Sequence, residues 1–295
     1  MVVNCESCDF HIFTTTKTIR FIRFSDNNIL YIKKEVAFLA KDRIGETNKN
    51  KRGTLMEIIK YNSSEDMDIR FLDEFFYVKK GVTYNAFKNG GVKNPFDRNV
   101  YGIGYIGLGK HAVKIENDKT QEYRVWHELI ARCYSKERKS KYLSYYNTTK
   151  VCDEWKCYQR FADWYSEHKY ECGELLHLDK DILYPGNKIY SPYTCLLVPQ
   201  RINMIFTNKP NTRGLPNGVV ATKDGRYEAV CNKKKYGIYD TVEETFAAYA
   251  RAKEDIIKQV ADEYKDIIPQ NVYEALYNYK LDIRLDKNYQ KITNK

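Results

Sequence analysis

The chain carries 49 Lys and Arg against 39 Asp and Glu over 295 residues, a net charge of +10, and 43% of its residues are hydrophobic. That apolar share excludes wholesale disorder, the length predicts about two or three compact units, and no hydrophobic run approaches membrane-spanning length, so no membrane partner is expected. The basic balance favours an anionic partner, nucleic acid first, although the lysines and arginines are scattered in short clusters at 49–52, 136–141 and 233–235.

The N-terminal stretch MVVNCESCDF has no signal-peptide core, which predicts a cytosolic chain. Its Cys5 and Cys8 form a CxxC, half of a zinc-ribbon pattern, and the other cysteines of the chain's 8 give no second CxxC. The expectation is therefore reduced thiols, no four-cysteine zinc site and no cofactor, with Cys5 and Cys8 the weak metal candidates. Two alternating runs around a polar turn follow, TIRFIRF and ILYIKKE about SDNN, and predict a β-hairpin. Residues 45–53, GETNKNKRG, read as a glycine-bounded linker, and LMEIIKY, DMDIRFL and FFYVKKG as strands of a small meander or barrel. The glycine-rich YGIGYIGLGK at 101–110 lacks the order of a dinucleotide fingerprint and predicts a turn or junction.

From Thr120 the periodicity changes to 3.6. EYRVWHELIARCY sets Val125, Leu129, Ile130 and Cys133 at helical spacing, and CDEWKCYQRFADWYSEH sets Trp155, Tyr158, Phe161, Ala162 and Tyr165 on one face, with Asp153 placed to start that helix. Trp126, Trp155 and Trp164 read as core anchors. A hairpin and helix are expected over 178–203, LDKDILYPGNKIYSPYTCLLVPQRIN. Next, GVVATKDGRYEAVCNKKKYGIYDT predicts three short strands joined by DG and NKKK turns, and VEETFAAYARAKEDIIKQVADEY an amphipathic helix with Phe246, Tyr249, Ala250, Ile256 and Ile257 inward. Such a sheet can lie in a major groove, which makes Arg226, Lys233, Lys234 and Lys235 candidate nucleic-acid contacts; the lysines equally fit a solubilising turn. PQNVYEALYNYKL predicts a last short helix, whose Tyr273, Tyr277 and Tyr279 are candidate self-assembly contacts or parts of an ordinary docking helix.

Three of these segments, YRVWHELIARCY, VCDEWKCYQRFADWY and the 178–203 stretch, together with 218–253, resemble a family of phage and bacterial proteins related to HNH/AP2 homing endonucleases. The resemblance covers about half the chain. With the strands read above, an α+β fold in three parts is expected: a β-rich N-terminal region over 1–110 and, as the resemblance implies, a degenerate HNH-like (ββα) domain over 111–209 and an AP2-like sheet-plus-helix domain with a tail over 210–295. For the HNH part the resemblance implies a metal-dependent DNA-cleaving scaffold, with Asp179, Lys180, Asp181, Asn187 and Asn203 at the matching positions. Asp179, Asp181, Asn187 and Asn203 could hold Mg²⁺ through oxygens. The match lacks its base: the position that would carry the general-base histidine falls at Lys180 or Asp181, and a cationic lysine is a poor base.

No other histidine replaces it. His177 reads as preceding the strand, about three residues out of register and so turned to the opposite face. His127 reads as packed on a helix, His168 as completing a helix end, and His11 and His111 have no partner pattern. No catalytic residue is expected. In length, tyrosine- and lysine-rich composition, and a β-rich front joined to a degenerate nuclease core, the chain is also similar to the Gabija anti-defence family of Bacillus phages. That resemblance implies a non-enzymatic inhibitor in the host cytoplasm, assembled as a homo-oligomer around a host antiphage nuclease complex and keeping DNA out. The alternative is a homing-type endonuclease or a sequence-specific DNA-binding protein.

Overall fold

The computed structural model describes the backbone of five strands within residues 1–41, and residues 42–141, 145–146, 148–207, 211 and 214–289 in full. The architecture is mixed α+β, built from several small sheets and separate helices. It divides into two compact units, Met1–Asn94 and Pro95–Lys295.

The first unit opens with β1 (Val2–Asn4), β2 (Phe10–Thr15), β3 (Thr18–Ser25), β4 (Asn28–Leu30) and β5 (Val36–Ala37) in one antiparallel sheet, with β5 pairing the start of β3. Ser25 faces Asn28 across the expected β3–β4 hairpin. Cys5 and Cys8 lie outside the described residues.

A second antiparallel sheet follows as a meander, β6 (Thr47–Lys49), β7 (Leu55–Ser63), β8 (Asp66–Phe71) and β9 (Val78–Val82), covered by α1 (Tyr84–Lys88). Alternation explains its core: Met56 and Ile58 on β7, and Met67, Ile69 and Phe71 on β8, point to one face and close on Phe87. Residues 45–53 are not a linker, because they carry β6 and the turn into β7. Asn50 is buried, and its Oδ1 accepts from Arg52 N (2.9 Å) and Thr54 N (3.0 Å). Composition misleads here, since an edge strand tolerates the charged residues that also mark loops.

In the second unit, 101–110 forms the expected junction. A Cβ on Gly107 or Gly109 would overlap Cys157 or Gln159, so these two positions need glycine for close approach. A short hairpin, β10 (Lys114–Ile115) and β11 (Asp118–Lys119), leads into α2 (Gln121–Tyr134), whose first turn is capped by Thr120 Oγ1 accepting from Tyr123 N. After β12 (Lys150–Val151) and a 3₁₀ turn at Glu154–Lys156 comes α3 (Tyr158–His168). Asp153 does not start that helix: its carboxylate pairs with Lys156, and α3 begins only at Tyr158. The inward face is nonetheless as expected, with Trp126, Trp155, Tyr158, Phe161, Ala162, Trp164 and Tyr165 in one aromatic core and Trp126 Nε1 donating to Trp155 O at 2.8 Å.

The chain continues with β13 (Leu176–Asp179), β14 (Ile189–Tyr190), β15 (Leu196–Pro199) and α4 (Gln200–Ile205). β13 pairs antiparallel with β15, and β14 parallel with β12. Then come β16 (Val219–Ala221), β17 (Tyr227–Cys231) and β18 (Lys234–Tyr239), an antiparallel three-stranded sheet, followed by α5 (Val242–Glu263) and α6 (Gln270–Tyr277). The first half of α5 packs Phe246, Tyr249 and Ala250 on Val219, Ala229 and Cys231 of the sheet. Its second half packs Ile257, Val260 and Ala261 on Ile182, Leu196, Val198 and Ile202. Ile256, expected inward, is only half-buried. One helix thus serves two cores, which binds the β13–β15–α4 part and the three-stranded sheet into one unit.

Candidate functional site

β13 delivers His177 and Asp179 to one face, since residues two apart on a strand point the same way. Asp179 is buried, and its Oδ1 accepts from Asp181 N and Ile182 N, both at 2.8 Å. The carboxyl therefore closes the turn that ends the strand. Burial pushes its pKa up to about 6.

Lys180 is the next residue and is 5% exposed. Its Nζ donates to Asp181 Oδ1 (2.6 Å) and to Asn187 O (2.7 Å), and sits 5.7 Å from the Tyr145 ring and 5.9 Å from that of Tyr190. Asn187 is committed to the same loop: Nδ2 donates to Lys180 O (3.1 Å) and Ile189 O (2.7 Å), and Oδ1 accepts from Ile189 N (2.9 Å). Three of the five motif positions, Asp179, Lys180 and Asn187, are thus tied into one hydrogen-bonded turn, with Asp181 ion-paired to it.

The fifth, Asn203 on α4, meets a histidine that the sequence reading set aside. His177 does not precede the strand but is its second residue, and its Nδ1 lies 3.1 Å from Asn203 Nδ2. Burial first, and Arg132 second, push the His177 imidazole below its ordinary pKa, so the ring is neutral at pH 7. An amide nitrogen can only donate, so Nδ1 accepts and the ring proton sits on Nε2. In this arrangement His177 offers a donor at Nε2 rather than a base.

Both residues line a cavity of about 860 Å³, together with Asp179, Lys180, Asp181, Tyr145, Tyr190 and Arg132. Arg132 is a functional candidate that the sequence reading missed. It projects from α2, donates from Nη1 to Tyr190 Oη (3.1 Å), and has a buried Nε with no hydrogen-bond partner among the described residues. Its signal was an arginine set among the inward positions Leu129, Ile130 and Cys133. Tyr190 is held there by the β12–β14 pairing, Val151 opposite Tyr190.

The donor set does not fit a divalent cation. Oδ1 of Asp179, of Asp181 and of Asn187 is engaged within the turn, and the buried Lys180 ammonium stands beside the Asp181 carboxylate and opposes a divalent cation there. Among the described residues no group of three or more His, Cys, Asp or Glu is placed to hold a metal.

The remaining candidates lie elsewhere. Arg226 is ion-paired with Asp224 (Nη2 to Oδ2, 2.8 Å) and Lys235 with Glu228 (2.9 Å). The NKKK segment is not all turn. Asn232 (φ 48°) and Lys233 (φ 65°) form a two-residue turn, while Lys234 and Lys235 already belong to β18. Lys234 Nζ lies 5.5 Å from the Tyr236 ring centroid. Tyr273 and Tyr277 stack at 5.6 Å, and Tyr277 is 42% exposed. Tyr279 does not join them: it packs edge-on to Phe206 (4.8 Å) in the cavity wall, where burial pushes its hydroxyl up to about 12.

Of the other histidines, His127 packs between Tyr101 and Tyr123, and His168 stacks on Trp164 at the end of α3. His111 does have a partner, Asp163 at 2.9 Å. The side chain of His11 lies outside the described residues. No protein-family model matches the chain, and no curated protein and no solved structure matches it.

Proposed function

We propose that the chain is a phage-encoded anti-defence protein that binds a host antiphage nuclease complex of the Gabija type and blocks its access to DNA, with no catalysis of its own. The observation that carries the non-catalytic part is Lys180. At the position where an HNH-like core would hold its base stands a buried ammonium, paired with Asp181 and capped by the Asn187 carbonyl. The HNH-like and AP2-like ancestry and the target come from the resemblance in sequence. Self-assembly is part of the same reading, with the Tyr273–Tyr277 stack, whose Tyr277 is exposed, as a contact, and the place of action is the host cytoplasm.

Binding to a protein also agrees with the charge on the three-stranded sheet, where Arg226 and Lys235 already have carboxylate partners. The second reading, a homing-type endonuclease or sequence-specific DNA-binding protein, draws on the His177–Asn203 pair in the cavity. Mixing the purified protein with a reconstituted Gabija-type nuclease separates the two. The expected result is a complex that survives moderate salt on size exclusion and a plasmid left uncut at stoichiometric protein. Failure to form that complex, with cleavage by the host nuclease undiminished, overturns the inhibitor reading.

A further inference from the structure

We infer that the cavity walled by α2, β13 and α4 is a binding site for a nucleotide, with its phosphate held by Arg132, His177 and Asn203. This goes beyond the inhibitor reading and does not depend on it. Three cations on the cavity wall stand without a carboxylate partner among the described residues. The carboxylates that line the cavity are engaged: Asp179 by two backbone amides, Asp181 by Lys180, Asp286 by the Asn217 and Asn288 amides, Asp282 by Arg284, and Glu128 by Arg138. Arg132, Lys188 and Lys287 have no carboxylate within ion-pair distance among the described residues. Glu128, one turn before Arg132 and its natural partner at i−4, is paired with Arg138 instead.

A guanidinium keeps its charge and presents a planar fork suited to phosphate, and the buried Nε of Arg132 is a donor with nothing to donate to among the described residues. Neutral His177 presents an Nε2 donor, because Asn203 fixes its proton there. Lys188 and the half-buried Lys287 add cationic rim.

Phe206 and Tyr279, edge-on at 4.8 Å, line the same cavity and give a nucleobase an aromatic wall, while about 860 Å³ is room for one nucleotide.

Calorimetric titration of the full chain with AMP, inorganic phosphate and adenosine tests this. AMP is expected to bind at one site per chain, more tightly than phosphate, with adenosine weaker than AMP. Arg132→Gln is expected to lose AMP affinity by about tenfold or more, and His177→Ala to weaken it too. Because Arg132→Gln also removes a bond to Tyr190, the wild-type protein supplies a second readout: the Arg132 Nε–H resonance in a nitrogen-edited spectrum shifts on adding AMP. A 5′-phosphorylated oligonucleotide separates the sources. Tighter binding of AMP assigns the site to free nucleotides, tighter binding of the oligonucleotide assigns it to a strand end, and both support a nucleotide phosphate site. No heat and no Nε–H shift with either ligand overturns the proposal, as does wild-type AMP affinity in a folded Arg132→Gln. A protein that binds AMP but not the host nuclease retains this site while losing the inhibitor reading.

Discussion

Asp179 and Lys180 stand side by side in the sequence, yet burial gives them opposite consequences. Asp179 carries a folded-state pKa of about 6 against an ordinary value of 3.8. A raised carboxyl means that the native state holds the proton more tightly than the unfolded chain does. Its contribution to stability is complete below the ordinary value and is lost as pH rises through about 6. The shift corresponds to about 3 kcal/mol. Asp179→Asn keeps an oxygen to accept from Asp181 N and Ile182 N but removes the titration. Denaturant melts at pH 4 and pH 7 should show the variant gaining stability relative to wild type by roughly that amount as pH rises; parallel pH dependences would contradict the assignment.

At Lys180 the effect is ionic. Lys180→Met leaves the half-exposed Asp181 carboxylate and the Asn187 carbonyl without their donor, and should cost roughly 1–3 kcal/mol in the same assay. An unchanged midpoint would show that the pair contributes nothing. Asp179, Lys180, Asp181 and Asn187 were legible as neighbours, because they lie within nine residues of one stretch and meet in one hydrogen-bonded turn, whereas Asn203 bonds His177 instead. Their roles were not legible, since these depend on which side chains are buried. Arg132 was missed because it comes from a distant helix, and His177 was weighed and set aside because its place depended on where β13 begins.

At the scale of elements, periodicity read α2, α5 and the inward face of α3, though not the start of α3, and alternation read β7 and β8, because their inward residues are close in sequence. Short strands and turns were harder. β6 was hidden by its edge composition, and the β17–β18 turn was shorter than NKKK suggests. Lys233 sits at φ 65° in that turn. Lys233→Gly should therefore raise stability by roughly 0.5–1 kcal/mol, visible as a higher melting temperature. If Lys233 instead contacts phosphate, the same change lowers the salt slope of DNA binding by about one. Gly218 makes the opposite case: it has φ 79° and lies against Tyr249, so that a Cβ would overlap the ring. Gly218→Ala should destabilise the sheet–α5 packing by several kcal/mol, of the order of other severe backbone and overpacking changes. A melting temperature close to wild type would show that Tyr249 can move aside.

For the whole molecule, α5 is the member that two cores share, a relation that neither periodicity nor composition encodes. The net charge of +10 pointed to nucleic acid, but at Arg226 and Lys235 the positive charge is locally matched, so the sum misstates what those positions offer. We propose that the chain works by binding and not by cutting. The most direct test is to incubate the purified chain with supercoiled plasmid and Mg²⁺ or Mn²⁺, alongside His177→Ala and Asp181→Ala. The account predicts that the plasmid stays supercoiled with all three proteins; metal-dependent nicking by the wild type that disappears in either variant would contradict it.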